Sequence, residues 1–162
     1  MRLHSHFALV AAGVLALAAL AVPQAGVAAE PGSREAIDQA AAVNTELALA
    51  YMREGNLKAA REKIDKALQQ DARTANTQMA AGFVYDKLGD KKKALSHFEQ
   101  AVKLGGKDNP DVVANAAVYF CMNGEPKRGE QYMLQAAASP LNARPDVAYT
   151  NAGRCARGDG RP

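Results

Sequence analysis

An all-α solenoid of stacked helix–turn–helix units, about three and a half of them, is the fold the sequence predicts. Apolar residues recur at helical spacing in short blocks, and the blocks themselves recur. Tyr51 and Tyr85, Gly55 and Gly89, Ala60 and Ala94, and Ala67 and Ala101 each stand 34 residues apart. A fixed period of this size marks a chain of supersecondary units, each burying its faces only by stacking on the next. Composition agrees: the chain of 162 residues has no Trp and only 6% aromatic residues. Its many alanines suit helices packed closely through small side chains better than one thick core.

The first 29 residues are of another kind. Arg2 leads an apolar run from Phe7 to Val22, Pro23 to Gly26 break it, and Val27-Ala28-Ala29 offers small residues before Glu30. This pattern predicts a secretory signal peptide over 1–29, cleaved after Ala29. The run is 16 residues long, short of the ~20 that span a bilayer. The nearby sequence has no Cys to carry a lipid, so the expectation is an exported periplasmic protein without a lipid anchor.

Residues 30–40 form a polar lead into the first helix, which runs from Arg34 to Glu54. Gly55-Asn56 turns the chain and Leu57 to Gln70 returns it, giving a first repeat over 41–74. A second repeat over 75–108 carries Ala81, Val84, Tyr85 and Leu88 on one helix. It turns at Gly89-Asp90 and continues through Ala94, Phe98, Ala101 and Val102. The small–Tyr–Gly–Ala–apolar–Ala landmarks are those of the tetratricopeptide repeat. A third repeat over 109–144 opens with Asn109 as N-cap and Pro110 as first helical residue. Residues 145–162 read as the first helix of a fourth repeat, with Ala152-Gly153 at the small positions and Gly160 at the turn. The return helix that would follow is not in the sequence, so a truncated repeat is expected there. Small residues at Ala48, Gly82, Ala117 and Gly153 should admit the second helix of each pair, which answers with Ala60, Ala94 and Gly129.

Charge and motif content exclude several functions. The formal net charge is +3 and dispersed. The one basic run, Lys91-Lys92-Lys93, reads as a solvated helix start, so nucleic-acid binding is not expected. His4 and His6 lie in the leader, leaving His97 as the only mature histidine. With no CxxC and no glycine-rich phosphate loop, neither a metal, nor a cofactor, nor an active site is expected.

A curved stack presents its first helices on the concave side. Leu49 and Met52 from repeat one, Met79 and Phe83 from repeat two, and Val118 and Met122 from repeat three form the expected apolar stripe. Thr45, Asn76, Asp86, Asp111 and Asn115 stand among them. Met-rich apolar surfaces suit an amphipathic or extended apolar peptide, while the competing reading has these side chains packing between repeats. Lys and Asn, which clamp terminal carboxylates in other repeat proteins of this type, are replaced by Thr45, Leu49, Met79 and Phe83. Cys121 and Cys155, the only cysteines, lie 34 residues apart on successive first helices. In an exported chain a disulfide is expected, the alternative being two buried thiols.

Residues 44–154 resemble the PilF/PilW family of type IV pilus biogenesis proteins. The resemblance rests on residues 46–56 (ELALAYMREGN), 115–124 (NAAVYFCMNG) and 148–156 (AYTNAGRCA). It implies a non-enzymatic pilotin-like adaptor that helps the outer-membrane secretin assemble or stabilises the pilus fibre. The cysteine pair resembles a disulfide found in part of the family. Two departures bear on function: the family's lipid-bearing cysteine is absent, and the repeats are fewer. The alternative is a general cell-envelope scaffold for assembly or secretion unrelated to pili.

Overall fold

The computed structural model describes Glu30 and residues 32–161; the predicted signal peptide lies outside the described residues. Among these residues there are seven helices and no strand: α1 (Arg34–Arg53), α2 (Leu57–Gln70), α3 (Ala75–Lys87), α4 (Lys91–Gly105), α5 (Pro110–Met122), α6 (Pro126–Ala137) and α7 (Pro145–Gly158).

Each hairpin is closed by the same local chemistry. Gly55, Gly89 and Gly124 adopt φ of 78°, 80° and 89°, the left-handed region that costs other residues a clash between Cβ and backbone. The reversed chain then satisfies an orphan helix carbonyl. Asn56 N–H donates to Tyr51 O at 2.9 Å, Asp90 N–H to Tyr85 O at 3.0 Å and Glu125 N–H to Phe120 O at 2.9 Å. The aromatic landmarks thus hold matching places in successive hairpins. Arg161 N–H repeats the bond to Ala156 O at 3.1 Å, with Gly160 at φ 73°. That bond fixes the register of α7: Ala156 stands where Phe120 stands, 36 residues on, and Gly153 stands where Ala117 does. Side-chain caps start the next helices. The oxygens of Asn56, Asp90 and Asn109 accept from backbone N–H three residues ahead at 3.1–3.2 Å.

Packing follows the small residues. Gly82 lies against Phe98, and a Cβ there would meet the ring at 2.8 Å. The Phe98 ring is fully buried, edge-on to Phe83 at 5.1 Å and stacked with Tyr119 of the next repeat at 4.2 Å. It is therefore both the core of repeat two and the bond to repeat three. Consecutive first helices touch one another (α1 with α3, α3 with α5, α5 with α7), whereas α2, α4 and α6 make no such contacts among themselves. A continuous inner layer and a separated outer one bend the stack, with the odd-numbered helices inside. In α7 the residues facing the preceding repeat, Ala148, Ala152 and Cys155, are buried. Gly153 is exposed, and a Cβ there would meet nothing within 4 Å.

Polar groups also tie the first two repeats together. Tyr85 O–H donates to Asp65 of α2, and the Tyr85 ring stacks on His97 at 5.3 Å. His97 Nδ1 and Gln78 Oε1 are 2.7 Å apart; an amide oxygen only accepts, so Nδ1 carries the hydrogen. Lys91 and Lys93, of the basic run, pair with Asp86 and Asp90, and Lys93 Nζ also lies 4.6 Å above the Tyr85 ring.

Candidate partner-binding groove

The expected stripe divides into two parts. Leu49, Met52, Met79 and Phe83 are half-buried and lean on the hydrophobic core of the first two repeats. Phe83 in particular is held edge-on by Phe98. Thr45, read from sequence as facing the trough, is buried: its hydroxyl donates to Ala41 O at 2.8 Å and lies 3.1 Å from the Thr77 hydroxyl. On α5 the picture reverses. Val118 is 39% exposed and Met122 is 78% exposed, so of the six stripe residues the two on α5 are the open ones.

A groove runs there along both helices. One part, about 300 Å³, is lined by Val118, Met122, Met133, Arg154 and the two cysteines among others. The adjoining part, about 340 Å³, shares Val118 and Asn151 with it and extends past Asn115 to Asp111 and Arg144. The arrangement offers an apolar floor, three amide side chains (Asn115, Asn142 and Asn151), two guanidinium groups (Arg144 and Arg154) and the Asp111 carboxylate. Among the described residues the side chains of Asn115, Asn151 and Arg154 have no hydrogen-bonding or ionic partner, whereas Arg144 is engaged by Asp146 at 3.3 Å.

Sequence reading missed Arg154, Asn151 and Met133 as groove residues. The signal was present: counted by the 36-residue step from Gly124 to Gly160, Arg154 takes the place of Val118 and Asn151 that of Asn115.

The cysteines close the base of this groove. Cys121 and Cys155 have Cα atoms 5.5 Å apart with their sulfurs at bonding distance, inside the range a disulfide spans. The sulfurs cross over the start of α6, where Gly129 leaves the opening. A Cβ on Gly129 would press on the Cys121 sulfur and meet Ala117 O and Cys121 N, each at 2.8 Å. Alanine occupies the same position in the other two pairs, as Ala60 and Ala94. Among the described residues no group of His, Cys, Asp and Glu side chains forms a metal site, and no helix is long and apolar enough to cross a membrane.

Comparison with known proteins agrees with this architecture. Residues 39–105 match the tetratricopeptide-repeat family model. An uncharacterised protein of Haemophilus influenzae is 30% identical over 117 residues, covering 72% of this chain and 65% of its own. The crystal structure of PilW, described as a widely conserved type IV pilus biogenesis factor, superposes with a TM-score of 0.67 at 27% identity, over 75% of this chain and 56% of PilW. Pseudomonas aeruginosa PilF superposes with a TM-score of 0.69 at 22% identity, over 78% and 56%, a likeness of fold. The chain therefore spans less than two thirds of the length of each of these relatives. With its recurring glycine-closed hairpins and these structural neighbours, the chain is a PilF/PilW-like tetratricopeptide-repeat protein.

Proposed function

We propose that this protein is a non-catalytic adaptor of the bacterial cell envelope that serves type IV pilus biogenesis. It is exported to the periplasm by a cleavable leader over residues 1–29, and it holds a segment of the secretin or of another assembly component in the α5–α7 groove. The observation that carries this reading is the open apolar pair Val118 and Met122, beside unengaged amides, on the inner layer of a PilW-like stack. Contiguous exposed apolar surface, unlike scattered single side chains, is where partners commonly dock. The oxidising periplasm suits a Cys121–Cys155 disulfide. Leu49, Met52, Met79 and Phe83 lie outside that groove, packed against the core on the α1 and α3 part of the inner layer.

The test is complementation. A deletion strain should lose surface pili and twitching, and its secretin should fail to form heat-stable multimers. The wild-type gene should restore all three. A Val118→Asp, Met122→Asp double variant, expressed to the same level with an unchanged melting temperature, should not. Full rescue by that variant removes the groove from the mechanism. A deletion strain with normal pili transfers the protein to general envelope scaffolding.

A further inference from the structure

The chemistry of the groove specifies its occupant more narrowly, and the inference rests on the reading that the α5–α7 groove is a binding site. We infer that it takes an extended peptide segment in which an acidic residue neighbours a large apolar one. The apolar seat comprises Val118, Met122, Met133 and the cysteine pair. Arg154, exposed on α7, lines the same pocket. No carboxylate lines this part of the groove, Asp111 lining only the adjoining part, and Arg154 has no ionic partner among the described residues. An apolar anchor entering the seat therefore brings its neighbouring side chain beside an unopposed guanidinium, which favours a carboxylate and disfavours an ammonium.

The amides specify the backbone conformation. Asn115 and Asn151 hold the same register position on successive inner helices and both line the groove, each offering an acceptor and a donor. A helical ligand has its backbone groups satisfied internally and could reach these amides only through its side chains. An extended strand exposes an N–H and a C=O at every residue. Packed helices lie about 8–10 Å apart, and an extended chain advances about 3.3 Å per residue. Two amides on neighbouring helices thus meet one strand some three residues apart, with the anchor side chain between them and the seat.

The test uses the full chain after leader removal and two fluorescein-labelled octapeptides. They are identical in Gly, Ser and Ala except for a central Phe-Glu in one and Phe-Lys in the other. In fluorescence polarisation at low salt, the Phe-Glu peptide should bind roughly five- to tenfold tighter, the effect expected of one partly exposed charge pair made or opposed. Arg154→Glu should invert that preference. Asn151→Leu should weaken both peptides alike, and N-methylation of the amides flanking Phe should do the same. Arg154 and Asn151 lie outside the core, and a thermal melt of each variant checks folding. Equal binding of both peptides, no binding of either, or an unchanged preference in Arg154→Glu would overturn the inference. If complementation fails with Val118→Asp, Met122→Asp yet succeeds with Arg154→Glu, the groove stands and this account of its occupant falls.

Discussion

At the scale of single residues, two contacts are tight enough to predict from. Phe98 cannot retreat from position 82, because Phe83 and Tyr119 hold its ring on both sides. Gly82→Leu should lower stability by about 1–3 kcal/mol through overpacking, read as a shifted denaturant midpoint with an unchanged slope. His97 supplies the second. Half-burial, then the nearby Lys93 charge, push its pKa below the ordinary imidazole value, partly countered by Asp65 and Asp90. The unfolded chain therefore binds this proton more tightly than the folded one. The contribution is complete above the unfolded value near ~6.5 and is lost as pH falls toward and through the lower folded value. Wild-type protein should lose more melting temperature between pH 7 and pH 5 than His97→Gln; parallel curves would contradict the assignment. Tyr85 titrates far from this window, pushed up to about 12 by burial and its bond to Asp65.

At the scale of elements, α7 buries only small side chains. Its inward side chains are Ala148, Ala152, Cys155 and Ala156, which supply few apolar atoms against α6. Its outer face, with Tyr149 and Gly153, is open. A disulfide from Cys121 would then provide much of what holds it. Closing a loop with a sequence separation of 34 stabilises by roughly 3–4 kcal/mol on the chain-entropy model. Reduction, or Cys155→Ser, should speed amide exchange in α7 by orders of magnitude while α3 and α4 keep their protection. Exchange unchanged by reduction would show the helix secure without the bond.

At the scale of the whole molecule, the curve of the stack and the groove come from one fact, the unbroken inner layer. The repeat was legible in sequence because turns demand it: a glycine at left-handed φ follows each aromatic landmark, and a capping side-chain oxygen follows the first two. These are local requirements, fixed by residues near one another in the chain. The groove was less legible because it is set by neighbours distant in sequence. Phe83 and Val118 read alike as inward apolar residues, yet Phe98 claims one while nothing covers the other. Arg154 and Asn151 follow from counting back from the turn at Gly160, 36 residues beyond Gly124, a count the sequence reading made for the turn and did not carry to the groove. That spacing depends on the length of the Ser139–Arg144 connection, where no landmark sets the count. Leu49 and Met52, set against the core in the same way as Phe83, should tolerate little polar substitution. Phe83→Asp should accordingly cost folding before it costs binding, about 2–5 kcal/mol by the measure of large truncations in cores.

The opening at Gly129 has a diagnostic use. Backbone atoms of α5 surround that spot, so a methyl group and a sulfur bridge compete for one volume. A homologue carrying Ala there should lack the cystine even if both cysteines persist, and Gly129→Ala should yield protein whose two thiols remain alkylatable under air.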